Sequence, residues 1–348
     1  MFFHSSQSEA LSFKTWRNNS TRKISPIEGE KLAIETLKRL WKNEYFQTIL
    51  TAALIFLVVL GIYYGAQAAL GTPYPALAVA SESMRPTLNI GDLIIVQKID
   101  SAQINASKFY GDIVVFRNPY KPDDLIVHRA VEIQPAGNYY MITTAGDATG
   151  GSKDQFSPWN SSLLIGRVVA RIPYIGNIPL LLRSESNMYI FLLIFIMLLI
   201  ILMWPSGEKG RPTENAEKRR YFKVDLSHVF YIVSNIIIVG LLFVSLWGSY
   251  TIWQPGATPP RAIILGMYRD VQYHESFPGV KAHLSQGFLT HQIYCEMTGG
   301  TRLGVPTFAW YPFFIIVLIL YNAWKIRDFW KNWKVRKKME TTPSSRTR

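Results

Sequence analysis

Residues 49–66 read ILTAALIFLVVLGIYYGA, and ten residues on the chain turns to short Val- and Ile-rich runs, ALAVAS at 76–81 and DLIIVQK at 92–98. The first stretch lies in a run without Asp, Glu, Lys or Arg that extends from 45 to 81. As a helix it is long enough to cross a hydrocarbon layer about 30 Å thick, which takes roughly 18 or more apolar residues. Three further charge-free runs follow at 186–207, 226–260 and 303–324, centred on MYIFLLIFIMLLIILMW, VFYIVSNIIIVGLLFVSLW and FAWYPFFIIVLILY. One Lys or Asp at the centre of a span costs about 2.5–3.5 kcal/mol on insertion scales, so four clean runs predict four transmembrane α-helices rather than core helices of a soluble globule. The charged share of this 348-residue chain, 18%, agrees, lying below the roughly 25% of an average soluble domain.

The formal charge of +13 is carried by the segments that flank these runs. Eight Lys or Arg precede the first run, six lie in 208–225 and nine follow Trp324, against four in 254–302. The segment 72–185 holds ten basic and ten acidic residues and nets to zero. By the positive-inside tendency both termini and the 208–225 loop are cytoplasmic, and 72–185 and 254–302 lie outside. The basic flanks suit anionic lipid, so the bilayer is an expected partner. No groove-reading motif accompanies the charge, so nucleic acid is not. The sequence Ala66-Gln67-Ala68 mimics a cleavage site, but a 44-residue lead-in and a long apolar core predict a retained anchor. The expected organisation is a basic cytoplasmic segment (1–44), a transmembrane anchor (45–71), an extracytoplasmic β domain (72–185), a second span (186–205) and a cytoplasmic loop (206–226). A third span (227–253), an extracytoplasmic loop (254–305), a fourth span (306–324) and a basic cytoplasmic tail (325–348) complete it. The chain is a multi-pass protein of the cell membrane on this reading.

Between the first two spans the period is that of strands. Apolar runs recur at 76–81, 92–98, 112–118, 125–133, 139–144 and 163–172, separated by Gly-Asp, Asn-Pro, Lys-Pro-Asp-Asp and Gly-Gly-Ser turns. That texture predicts an all-β domain, an antiparallel sheet or barrel. The 254–302 segment, rich in Gly, His and Tyr, shows no assignable pattern. The single cysteine, Cys295, excludes an internal disulfide framework and any four-cysteine metal site.

Within the β domain three residue types stand out. Ser83 lies in SESMRPT at 81–87, where Pro86 restricts the backbone and turns the chain just after a short strand. His128, in LIVHRAVEI, is the domain's one histidine. Asp147, in Ala145-Gly146-Asp147, and Asp154, across the following turn, supply carboxylates. A serine hydroxyl is a weak nucleophile that needs a base within hydrogen-bond reach, and a carboxylate then holds that base in the required tautomer. Spacing leaves both Asp147 and Asp154 open as the partner of the histidine.

These blocks, in this order behind an anchor, resemble those of the type I signal peptidases, membrane-bound serine proteases that remove signal peptides from secreted proteins. The correspondence takes in 81–87, Gly91-Asp92 with Gly111-Asp112, His128-Arg129, and Gly146-Asp147 with Asp154, about residues 45–180. Bacterial members carry a lysine base just before the arginine; His128 here resembles the archaeal and endoplasmic-reticulum branch, which works through Ser, His and Asp. The resemblance implies Ser83 as nucleophile, His128 as general base and later acid, Asp154 as the carboxylate behind it and Asp147 as a second important one. It implies Ser81 as an oxyanion donor beside the Ser83 backbone N–H. It also implies signal peptides of secretory preproteins as substrates, the secretion channel as a further partner, and no metal or other cofactor. Two positions depart from the family pattern: Glu82 stands where glycine is common, and Ala148 where asparagine is usual.

Three rival readings compete. His274, His283, His291 and Cys295 suggest a metal site in the 254–302 loop, with His291 and Cys295 four residues apart as on one helix face. A catalytically inactive peptidase-like membrane scaffold that binds signal segments or the secretion channel is the second, with Glu82 as its best support. A soluble self-cleaving repressor, which shares the serine-protease sheet, is the third; the absence from this chain of a DNA-binding helix pair and of a lysine base, and its four expected spans, argue against it.

Overall fold

The computed structural model describes Trp41, residues 43–183 and residues 226–340 apart from 255 and 258. The expected second span (186–205), nearly all of the loop after it and most of the basic N-terminal segment fall outside these residues. The described residues up to Gly61 belong to one compact unit and those from Ile62 onward to another.

The first apolar run forms helix α1 (Glu44–Leu70), about 40 Å long at 1.5 Å per residue. It ends where Gly71 takes the left-handed conformation (φ 66), the usual glycine stop. Six strands and a short edge strand follow: β1 (Ala76–Ala78), β2 (Leu93–Gln97), β3 (Ile113–Arg117), β4 (Leu125–Ala136), β5 (Tyr139–Ala145), β6 (Trp159–Asn160) and β7 (Leu164–Ile172). A short helix, α2 (Asn177–Leu182), closes this part.

The IVVF run of β3 explains how the sheet is built. Its side chains alternate, yet both faces are buried. Ile113 and Val115 join Val79, Met84, Leu88, Ile94 and Val96 in one core. Val114 and Phe116 join Ile104, Ala130, Ile142 and Trp159 in a second, with Phe116 stacked on Trp159 at 4.1 Å. A strand buried on both faces reads as a continuous apolar run, as β3 does.

The expected loop 254–305 and the ends of the last two spans require correction. Helix α3 (Leu226–Trp247) stops at Gly248, six residues before the expected end, at a position where a Cβ would come within 2.6 Å of Val244 O and glycine alone fits. The alternating residues that follow form β8 (Ser249–Trp253), a hairpin with β9 (Arg261–Leu265). Helix α4 (Met267–Glu275) and strands β10 (Lys281–Gln286), β11 (Thr290–Met297), β12 (Gly300–Leu303) and β13 (Thr307–Phe308) come next. Except for β8 and β9, these strands join β1–β7 in one sheet, in the order β10-β11-β13-β7-β3-β4-β5-β6 with β1 and β2 branching from β7. The sheet is mixed rather than wholly antiparallel, since β13 runs parallel to β7 through Thr307 and Arg171.

Helix α5 (Trp310–Glu340) starts four residues after the expected start of the fourth span and runs on into the basic tail as far as Glu340, over a stretch with no Gly or Pro after Pro312. It packs on α3 through a polar link: Asn322 Nδ2 donates to Asn235 Oδ1 at 2.8 Å, and the Tyr231 hydroxyl donates to Asn322 Oδ1. Among the described residues two helical stretches, Tyr45–Leu70 and Val229–Trp247, are long and apolar enough to cross a membrane.

Candidate active site

Ser83 sits in the turn between β1 and β2, whose apolar residues Met84, Leu88 and Ile90 are sunk in the core. Backbone bonds wind this turn tightly, with Arg85 N–H donating to Glu82 O and Leu88 N–H to Met84 O. Its base is closed by Val79 and Asp92, which bond through Val79 N–H to Asp92 O at 2.9 Å. With the chain after it so anchored, Ser83 is left half-buried at the rim, while Ser81 and Glu82 are exposed.

His128 projects from β4 with 11% of its side chain exposed. Its Nδ1 lies 2.7 Å from Asp154 Oδ2. That oxygen also accepts from Thr144 Oγ1 at 2.7 Å, and Thr144 Oγ1 in turn accepts from Trp159 Nε1 at 3.1 Å. Asp154 is held by its backbone too, its N–H donating to Thr144 O at 2.9 Å. A carboxylate can only accept here, so the bond places the histidine proton on Nδ1 and leaves the Nε2 lone pair free.

Nε2 faces Gly146. A Cβ built at Gly146 would stand 3.4 Å from His128 Nε2 and 2.6 Å from Ser83 O, so an alanine would push the serine turn away from the end of β5. The imidazole and the serine turn therefore approach each other across a bare glycine. Ser83 and His128 line one cleft of about 600 Å³, with Ala78, Val79, Leu125 and Val127 among its walls. Among the described residues the hydrogen-bond partner of Ser83 Oγ is Ser81 Oγ, at 3.1 Å.

Asp147 faces a different partner from Asp154. Arg129 grips it with two parallel bonds, Nε to Oδ1 and Nη2 to Oδ2, both 2.8 Å, and the Thr87 hydroxyl donates to Oδ2. Burial alone pushes the Asp147 carboxyl up, but the charge and hydrogen bonds of Arg129, with Arg302 and Thr87, outweigh it and hold the group below its ordinary value. Of the two carboxylates left open by spacing, Asp154 is the one bonded to His128. Arg129 also donates to Gly111 O at 2.8 Å, and the Ala148 N–H donates to Ser83 O at 3.0 Å. A backbone donor serves at position 148, so the change from asparagine takes nothing from that bond. Glu82 turns outward, 64% exposed, and pairs with Arg85 at 2.9 Å.

Sequence reasoning missed Thr144, which supports Asp154, and the reason for Gly146, which is close approach rather than backbone freedom. The His and Cys group of the rival metal reading does not come together as helix-face ligands. His291 and Cys295 are on strand β11, not a helix, so their separation places them along one buried face with Ile293 between them. Among the described residues no group of three or more His, Cys, Asp or Glu is arranged to hold a metal ion.

Comparison with known proteins matches residues 44–154 to the family described as signal peptidase, peptidase S26. The signal peptidase complex catalytic subunit SEC11 of Pyricularia oryzae is 30% identical over 165 residues, 44% of this chain and 90% of the relative. SEC11 of Tuber melanosporum is 26% identical over 50% of this chain and 98% of its own length. Human SEC11C is 27% identical over 42% of this chain and 78% of its own.

Proposed function

We propose, since the chain belongs to the signal peptidase family, peptidase S26, that it is a membrane-bound serine endopeptidase that cleaves signal peptides from secretory preproteins after small residues. The observation that carries the assignment of roles is the 2.7 Å bond from His128 to Asp154 with Nε2 turned toward the Ser83 turn. In the reaction Ser83 Oγ exchanges its bond to Ser81 for one to His128 Nε2, which takes the hydroxyl proton as Oγ attacks the scissile carbonyl. The imidazolium that forms is stabilised by Asp154 and then gives the proton to the leaving amine. Water, activated by the same Nε2, hydrolyses the acyl-enzyme. Ser81, freed from Ser83, and the Ser83 N–H serve the oxyanion, a kind of donor worth about 3 kcal/mol per group where removed. Asp147, locked to Arg129, takes no part in proton transfer and instead fixes the β5 end against the serine turn.

Substrate binding follows from open strand edges. Among the described residues Ala76–Ala78 pairs with β2 alone, and residues 125–128 of β4 pair with β3 alone, so each offers unpaired backbone to the cleft between them. An extended peptide adds there as a strand, with side chains alternating into pockets. The half-buried walls at Ala78 and Val127, with buried Val79 between β1 and the turn, favour small residues at alternate positions, as in the sequence that follows a signal's apolar core.

The same reading places the sheet on the extracytoplasmic side. Four spans, both termini in the cytoplasm, the bilayer as solvent and the secretion channel as neighbour belong to it, supported by the two long apolar helices and by the basic flanks. The relatives carry names of a signal peptidase complex subunit, and the polar α3–α5 link suits helices packed side by side in lipid. The inactive-scaffold alternative is not favoured, because Glu82 is turned away from the cleft chemistry. Detergent-solubilised protein given a preprotein tests the reading: Ser83→Ala is expected to abolish cleavage while the melting temperature stays within a few degrees. Full cleavage by that variant would remove Ser83 from the mechanism.

A further inference from the structure

The family match covers residues 44–154 and so ends well short of residue 261. Yet 261–308 is bonded directly to the turn that carries Ser83. Arg171 of β7 is the hinge of this contact. Its Nε lies 2.6 Å from Asp92 Oδ2, an ion pair rather than a well-aligned hydrogen bond, and its Nη1 donates to Thr87 O at 3.3 Å. Asp92 and Thr87 belong to the second half of the serine turn. On the other side, Arg171 Nη1 is 3.1 Å from Asp270 Oδ2 of α4. All three charged side chains are at most 4% exposed. A long contact of 3.5 Å joins Asn89 Nδ2, also in the turn, to Asp270 Oδ1.

Neighbouring bonds keep α4 in place. Tyr174 donates its hydroxyl to Leu265 O, the Arg171 N–H donates to Pro306 O at 2.8 Å, and His274 Nδ1 lies 2.8 Å from Asp270 O. Val305 enters the same core as Met84 and Leu88. The C-terminal half of the sheet also reaches Asp147, since Arg129 Nη2 donates to Leu303 O at 3.1 Å.

A guanidinium this deeply buried keeps one orientation only while carboxylates hold both its edges. Remove one, and Arg171 swings toward the other and draws Thr87 with it. We propose that Asp270 is a positioning residue for the peptidase reaction: it fixes Arg171, and through Arg171 fixes the turn that aims Ser83 at His128. A segment beyond the matched region thereby sets nucleophile geometry in cis. The proposal rests on Ser83 as nucleophile.

The test uses the full chain in detergent, a preprotein substrate, and a fluorophosphonate probe that counts and times reactive serine. Asp270→Ala is expected to lower kcat per labelled site about tenfold with KM within about twofold, and to slow labelling in parallel. Asp270→Asn, which keeps one acceptor oxygen for Arg171 or Asn89 and loses the charge, falls between. His283→Ala, on the exposed edge of β10, leaves both values unchanged. If kcat per labelled site and labelling rate match wild type, even with a lower melting temperature or yield, Asp270 serves stability alone and the proposal fails. Where Asp270→Ala does not fold, Asp270→Asn carries the same two outcomes. Labelling and cleavage by Ser83→Ala would refute the nucleophile instead, a result separate from any outcome at Asp270.

Discussion

His128 in β4 and His291 in β11 are both buried strand histidines of one sheet, and they differ in what stands at each nitrogen. His128 gives Nδ1 to Asp154 and turns Nε2 to the cleft. His291 is sealed in, and neither of its nitrogens has a hydrogen-bond partner among the described residues. Burial, reinforced by the charges of Arg171 and His274 and opposed by Asp270, pushes its pKa down to about 4. In the proposed reaction the first half of the sheet, 76–172, supplies Ser83, His128 and Asp154. The second half, 261–308, spends its polar groups on bracing. A histidine in a strand carries no role by itself; a carboxylate behind it and open space before it supply one.

The largest effect that tests this contrast is at Asp154. Asp154→Asn keeps shape and burial but no longer demands a proton on Nδ1, so His128 loses its enforced tautomer. A fall in kcat of roughly 10³–10⁴-fold is expected, the scale seen when this kind of carboxylate is neutralised elsewhere, with KM little changed. Cleavage kinetics with a preprotein would show it. A loss below tenfold would mean that the two histidines differ less than their partners suggest.

The next effect belongs to the second half and reads as stability. Unfolded, His291 takes a proton near pH 6.5; folded, it resists until about pH 4. A group whose folded pKa is depressed contributes stability above the unfolded value and loses it as pH falls toward the folded one. Between pH 6.5 and 5 the loss amounts to about 2 kcal/mol from this residue. His291→Leu is expected to narrow the drop in melting temperature between pH 7 and pH 5 and to leave kcat at pH 7 alone. Asp92 acts with the opposite sign: burial foremost raises its carboxyl to about 6, so acid relieves it. An unchanged pH profile in His291→Leu would place the acid sensitivity elsewhere.

The same contrast explains what could be read from the sequence. Strands β2 to β5 and β7 were legible because Ile94, Val96, Val114 and Phe116 recur at strand period between Gly-Asp and Pro-containing turns. The serine, the histidine and both aspartates were legible because a known motif order surrounds them. Which aspartate meets the histidine came from the resemblance, which implied Asp154; spacing alone left it open, since it depends on the turn at 146–154 bringing Thr144 and Asp154 together. Strands β10 to β12 escaped because half-exposed positions, such as those of KAHLSQ, hold polar and apolar residues alike and dilute the alternation. Their pairing is settled by partners far away in the chain: Phe109 bonds Leu303, and Pro306 bonds Arg171. Gly248 looked like one more apolar-span residue, although its lack of a Cβ lets the chain leave α3.

The smallest expected effect is at Glu82, where the family commonly has glycine. Glycine is required when φ is positive or when backbone must pass within Cβ distance. Neither condition holds at 82: among the described non-glycine residues the positive φ is at Tyr174, and the exposed Glu82 side chain pairs with Arg85 three residues on in the same turn. With the Glu82 carboxylate 64% exposed, solvent screens this pair and it contributes little. Glu82→Gly is therefore expected to change kcat less than about twofold, with a slightly lower melting temperature from the added backbone freedom of the unfolded chain. Preprotein cleavage and a thermal melt measure both. A tenfold change in kcat would mean that the carboxylate senses the developing oxyanion next door, and the division between a reactive first half and its outward-facing charges would have to be redrawn at this residue.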